Sequence, residues 1–195
     1  MALLFKLLIS PVLLIIGRKK LDVRMYPFLV GAGVYFVISI LRALIRSGFS
    51  AYDAGTAFFL QGLTSSVLEE TGRVIAFVYI LKDYRRNSDA IGHGIGHGML
   101  ENMGAGFASF GLQMSAENAF LGCAGQFMGS LTHIGLSVFA WYGVKNGKIK
   151  VMLPIALVIH LASNIIVSDA FDVIKALIVC GTAYFLYRKD DDDLR

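Results

Sequence analysis

Val67-Leu68-Glu69-Glu70-Thr71-Gly72-Arg73-Val74-Ile75-Ala76-Phe77 sets two carboxylates and a guanidinium inside an otherwise apolar run. A bilayer interior charges several kcal/mol for each such group, so they must face protein or trapped water, and groups kept there at that cost usually serve function. The rest of the chain reads as their housing.

The housing is apolar. The 195 residues are 56% hydrophobic with a mean hydropathy of +0.65, above the roughly 45–50% apolar content of soluble domains. Charged residues fall in clusters, and the runs between them approach the ~20 residues that a helix needs to cross ~30 Å of hydrocarbon. This pattern predicts an all-α, polytopic membrane bundle with about seven spans: 1–16, 26–46, 56–81, 88–110, 118–144, 151–167 and 171–187. It leaves a single integral-membrane domain over 1–195, with 56–167 as the core that carries the site. The first run precedes Gly17-Arg18-Lys19-Lys20. A cleaved signal peptide would carry its basic residues ahead of the apolar run, so 1–16 reads as a retained span.

Orientation follows from the basic residues, which are retained on the cytoplasmic side. Arg18, Lys19, Lys20 and Arg24 follow the first span, Lys82, Arg85 and Arg86 the third, Lys145, Lys148 and Lys150 the fifth, and Arg188, Lys189 and Arg195 the seventh. The N-terminus is therefore expected outside and the C-terminus in the cytoplasm, in a multi-pass protein of the cell (plasma) membrane. The same placement accounts for the net charge of +4 and excludes nucleic acid as its cause; the expected surroundings are the lipid bilayer. Cys123 and Cys180 match neither a disulfide framework nor a zinc-knuckle spacing.

Titratable side chains from four predicted spans reach one depth. Glu69 and Glu70 on the third, His97 and Glu101 on the fourth, His133 on the fifth and His160 on the sixth fall within one or two turns of the bilayer centre at 1.5 Å per residue. Residues three or four apart share a helical face, so Arg73 can bond Glu69 or Glu70, His97 can align with Glu101, and His160 with Asn164. Taken singly, each is explained by an intramembrane salt bridge or a satisfied histidine. Convergence of the set points to a site in which a carboxylate accepts a proton from water while histidines bind a metal or steady an oxyanion. Two or three of His97, His133 and His160, with Glu70 or Glu101, also suit zinc, and two histidines with the carboxylate leave one position for a water. Neighbours on a helix point about 100° apart, so one of Glu69 and Glu70 faces the reacting water and the other a partner helix; spacing does not choose between them.

Some patterns mean less. His93-Gly94-Ile95-Gly96-His97 has two histidines at the zinc-protease spacing, but Gly94 stands where that motif needs its glutamate. For His93, nearer the cytoplasmic end, both site and helix interface stay open. The glycines of the fourth span suit a helix packed in mid-bundle.

Glu69-Glu70-Thr71-Gly72-Arg73, Gly96-His97-Gly98-Met99-Leu100-Glu101, His133-Ile134-Gly135-Leu136-Ser137 and His160-Leu161-Ala162-Ser163-Asn164 together resemble the YhfC family of intramembrane metalloproteases, distantly similar to the PrsW proteases and to the CAAX- and bacteriocin-processing (CPBP) membrane proteases. The resemblance implies a helical membrane peptidase whose glutamate pair activates water. His97, His133 and His160 would be ligands or catalytic partners, and Asn164 would help the oxyanion. His97 with Glu101 is similar to the H-x-x-x-E element of PrsW proteins, and His160 with Asn164 to the last H-x-x-x-N/D element of CPBP enzymes. Arg73 stands one residue closer to the glutamates than in CPBP proteins, and His93 replaces their phenylalanine, so prenyl-protein specificity is not carried over.

The leading expectation is an intramembrane endopeptidase acting on a membrane-embedded or membrane-adjacent peptide, with Glu69, Glu70, Arg73, His97, Glu101 and Asn164 as its catalytic set and zinc, or no metal, as its cofactor. A proton- or metal-coupled transporter would also bury carboxylates and histidines, but the chain has no evident repeat and no pair of proline-broken helices. A non-enzymatic scaffold or immunity factor is the third class.

Overall fold

The computed structural model describes residues 2–108 and 115–192, with no strand among them. Seven helices follow in order: α1 (Ala2–Leu21), α2 (Met25–Arg46), α3 (Ala54–Ile75), α4 (Asn87–Ala108), α5 (Ala116–Lys145), α6 (Ile149–Ile165) and α7 (Asp169–Asp192). Each coincides with one expected span. The differences lie at the ends, and the last two residues expected in the fourth span fall outside the described residues.

Local chemistry sets those ends. α1 runs past the expected residue 16 and takes Arg18, Lys19 and Lys20 into its last turn, where cations favour the negative end of the helix dipole. At the start of α3, Asp53 accepts hydrogen bonds from the Thr56 backbone N–H at 3.0 Å and the Thr56 hydroxyl at 2.6 Å, satisfying a donor that the first turn leaves bare. These bonds hold the Asp53 carboxyl below the usual carboxylate range. Ser115 caps α5 in the same way, accepting from the Asn118 N–H at 3.2 Å. α3 does not stop at Ile75 but continues as a π-helical turn, Ala76–Ile80, in which the Leu81 N–H reaches back to the Ala76 carbonyl at 2.7 Å. Such turns cluster at functional sites, and this one begins three residues after Arg73.

α4 lies between α1, α2 and α5, the mid-bundle position its glycines suggest. A Cβ at Gly96 would run into the Phe28 carbonyl of α2, and one at Gly94 into the Ile134 backbone of α5. Backbone therefore packs on backbone along two sides of α4, as small residues permit between membrane helices. At the start of the helix, Arg24 grips buried Asp89 through both carboxylate oxygens, Nε to Oδ1 at 2.7 Å, and pins the α1–α2 connection to α4. α3 packs on α2, α5 and α6, with scarcely any close backbone approach to α4. Side chains fill the space between them.

The distribution of polarity is that of a membrane protein. Phe36, Leu44, Phe120, Val158, Leu177 and Phe185 are exposed, while Glu69, Glu70, Arg73, Asp89, His93 and His97 are buried. By length and composition, Met25–Ala51 and Asp169–Lys189 are each apolar enough to cross a bilayer, and Ile149–Ile165 is apolar but shorter. α3 and α4 dilute their apolar content with glycines and with the side chains of the site. A hydrophobic core that includes Phe77, Leu81, Leu136, Phe139 and Trp141 closes the bundle at one end of the polar cluster.

Candidate active site

Glu69 and Glu70 are adjacent on α3 and both buried, yet their partners differ. Glu69 turns toward α2 and α4: Arg42 Nη1 donates to its Oε1 at 2.5 Å, and its Oε2 meets His97 Nε2 at 2.8 Å. Glu70 turns toward α6: its Oε1 is shared by the Arg73 guanidinium and by His160 Nδ1, the latter at 2.6 Å. Its Oε2 is buried without a hydrogen-bond partner. The ~100° between neighbours on a helix thus separates one carboxylate with both oxygens engaged from one with a bare oxygen.

The arginine spacing settles as Glu70 with Arg73, both side chains wholly buried. Arg73 also places Nη2 2.6 Å from His133 Nδ1. A guanidinium only donates, so His133 accepts at Nδ1 and carries its proton on Nε2, the nitrogen that faces the Glu101 carboxylate. The same reasoning puts a proton on His97 Nε2 and on His160 Nδ1, since ionised carboxylates only accept. It leaves His97 Nδ1 as a bare acceptor, and that atom is buried without a partner.

All four histidines of the sequence lie in this one region. The His97 and His133 rings are 4.8 Å apart, His133 and His160 5.6 Å, and His93 and His97 6.2 Å. His93 rests against Phe77 of the π-helical turn, with centroids 4.9 Å apart, and faces the Ser137 hydroxyl at 3.1 Å. Glu101 does not pair with His97, as their spacing suggested, but with His133. It is the most accessible carboxylate of the cluster, with 36% of its side chain exposed against 2% and 0% for Glu69 and Glu70. Asn164 stands outside the central contacts. Its amide donates to the Ser66 hydroxyl at 3.0 Å and the Gly62 carbonyl at 3.3 Å, clamping α6 to α3 a turn before the glutamates.

Sequence reasoning overlooked Arg42 and Tyr35. Arg42 neutralises Glu69 and lies 4.9 Å from the Tyr35 ring, whose edge meets His97 at 4.9 Å. The signal was present, because Arg42 interrupts Ile38-Ser39-Ile40-Leu41 and Ala43-Leu44-Ile45, and an arginine within an apolar span is itself a pointer to a site.

A metal finds suitable donors here. Glu69, His97 and His133, all buried, offer one ligand atom each within 4.8 Å of one another. A carboxylate with two imidazoles is a donor set that leaves a fourth position open on a tetrahedral ion. The partnerless His97 nitrogen fits the same purpose, since a buried acceptor without a donor has lost its solvation for nothing in return. Of the expected trio the group includes His97 and His133, whose contacts with Glu69, Arg73 and Glu101 an ion would replace in part; His160 stands beside it, with Nδ1 on Glu70 and Nε2 3.6 Å from Glu69 Oε2.

An all-helical membrane protein with a buried carboxylate–histidine centre able to hold a metal is the class that this fold and site define. The family is more specific: the model described as YhfC intramembrane metalloprotease matches residues 5–114, more than half of the chain, which belongs to that family. The matched stretch holds Arg42, Glu69, Glu70, Arg73, His97 and Glu101, while His133, His160 and Asn164 lie beyond it. No curated protein and no solved structure matches the chain.

Proposed function

We propose that the chain is an intramembrane endopeptidase that hydrolyses a peptide bond of a membrane-embedded or membrane-adjacent substrate, with Glu70 as the base that activates water. The observation that carries this reading is the split between the glutamates: Glu70 Oε2 is buried and unengaged beside His160, while both oxygens of Glu69 are held. A general base must have a free oxygen within reach of the proton it takes.

The roles of the other residues follow from their contacts. Arg73 and His160 fix Glu70 through Oε1 and leave Oε2 to accept the proton of water. Arg42 fixes Glu69 from α2. Glu69, His97 and His133 would hold the metal, and zinc held there supplies a Lewis acid toward the scissile carbonyl. Glu101 lies at the exposed side of the cluster and orients His133. Asn164 acts as a positioning residue, because its clamp on Ser66 and Gly62 sets where α6 presents His160. The seven helices are proposed as seven spans forming one domain of the plasma membrane, with the N-terminus outside and the C-terminus cytoplasmic.

Purified protein in lipid nanodiscs, incubated with a library of transmembrane peptides and read by mass spectrometry, tests the reading. Glu70→Gln is expected to lower cleavage per folded molecule by about 10²–10⁴-fold, the usual worth of a general base, and also to lower the unfolding temperature, because buried Arg73 loses its partner charge. Cleavage by the variant equal to wild type contradicts it. Proton or zinc flux that depends on Glu70 in reconstituted vesicles, with no cleavage, favours a transporter instead.

A further inference from the structure

Away from the carboxylate–histidine cluster, two cavities open side by side where the end of α1, the start of α4 and the end of α7 meet. One, of about 210 Å³, is walled by apolar side chains of α4, α5 and α7, among them Ile91, Ile134, Val138 and Ala183. The other, of about 300 Å³, has a mixed lining that includes the charged and polar residues Asp22, Arg85, Arg86 and Ser88. Leu21 and Tyr187 line both, so the two adjoin as a groove, an apolar slot beside a charged mouth.

The mouth has a definite charge. Arg86 Nη1 donates to Asp22 at 2.5 Å, and Arg85 Nε to the Lys82 carbonyl at 3.2 Å. Each guanidinium has five N–H donors, so both keep donors for a further acceptor. Two arginines against one aspartate leave one uncompensated positive charge among the lining residues. An apolar slot leading to a basic mouth, on a bundle whose exterior is apolar, fits an amphiphile better than a soluble anion.

We propose that this groove binds a glycerophospholipid whose headgroup carries a single net negative charge, such as phosphatidylglycerol. Its phosphodiester would face Arg85 and Arg86, and part of an acyl chain would lie along Ile91, Ile134 and Val138. Basic pockets between membrane helices take lipid headgroups for this electrostatic reason, and a singly anionic headgroup balances the mouth. The groove backs onto the site helices. Ile91 precedes His93 by two residues on α4, Ile134 follows His133 on α5, and the two helices touch where Gly94 meets the Ile134 backbone. A lipid there packs behind the seam that holds the histidines in register.

The test is native mass spectrometry of the full chain in detergent, mixed with phosphatidylglycerol, phosphatidylethanolamine and phosphatidylcholine of identical acyl chains. Phosphatidylglycerol should be retained preferentially. Arg85→Gln and Arg86→Gln should each lower its retention about fivefold, the Boltzmann equivalent of the ~1 kcal/mol that a basic residue contributes near an anionic membrane surface, with phosphatidylcholine unaffected. Both side chains are exposed and lie between helices, so unchanged thermal unfolding will show that the fold survives. Equal retention of the three lipids overturns the proposal, as does a phosphatidylglycerol preference indifferent to both substitutions. Displacement of the lipid by glycerol phosphate at the same concentration would mark a soluble-anion site and also overturn it.

Discussion

Removing the Arg73 side chain leaves Glu70 and His133 without the donor they share, and all three residues are buried. Breaking a buried ion pair from one side costs about 3–5 kcal/mol, so Arg73→Ala should lower stability by that amount in a detergent unfolding titration, and accumulation in membranes should fall with it. Arg42 differs, since 13% of its side chain is accessible while that of Arg73 is wholly buried. Arg42→Gln is expected to cost less than Arg73→Ala in the same titration; an equal or larger cost would mean that this difference in burial does not set the ranking. The sequence announced Glu69, Glu70, Arg73 and the histidines because charge within an apolar run is costly wherever it occurs. It did not assign partners. Helical spacing joined His97 to Glu101, whereas the bundle joins His97 to Glu69 and Glu101 to His133, contacts across helices that no periodicity along one helix encodes.

At the scale of the element, α4 is the helix least tolerant of side-chain volume. Gly96→Ala would push a methyl group into the Phe28 carbonyl of α2, and overpacking of this kind costs about 1–3 kcal/mol; thermal unfolding checks it, with Gly104→Ala as the control, since nothing lies within 4 Å of a Cβ there. The start of α3 carries a pH dependence. The Asp53 carboxyl is held below its ordinary range by Thr56, so its cap is fully present above an unfolded carboxylate pKa near ~3.9 and is lost as pH falls through the lower folded value. Wild type should therefore unfold at a higher temperature than Asp53→Ala at neutral pH, and the gap should close in acid. A gap that persists unchanged in acid would mean that the cap does not act through the ionised carboxylate. The existence of these helices was legible from the spacing of charged clusters, but the π-helical turn was not. Ala76-Phe77-Val78-Tyr79-Ile80 is apolar throughout, and nothing in such a run says that one residue more than an α-helical turn will be accommodated.

At the scale of the whole molecule, the fold is a bundle with an apolar exterior around an interior that holds both a polar cluster and a hydrophobic core, and the loops decide how it lies in the bilayer. Asn146, between α5 and α6, follows Lys145, while Ser50 lies in the 3₁₀ turn between α2 and α3. In a chain whose Cys123 and Cys180 are replaced by serine, a cysteine at 146 should react with a membrane-impermeant maleimide from the cytoplasmic side and one at 50 from the outside. Reaction of both from one side would refute the proposed topology. Length and composition made the bundle readable, and glycines the central place of α4, whereas the identity of its neighbours was not, because the close approach of α4 to α2 and α5 depends on backbone contacts across helices that hydropathy ignores.

The account centres on a division of labour in which Glu69 belongs to the metal and Glu70 to the water. Metal analysis of the purified wild type, Glu69→Gln and Glu70→Gln tests it most directly. About one zinc per chain, the content of a single tetrahedral site, is expected in wild type and in Glu70→Gln and should be lost in Glu69→Gln. Zinc kept by Glu69→Gln and lost from Glu70→Gln, or a wild type that takes up none from added zinc, would contradict it.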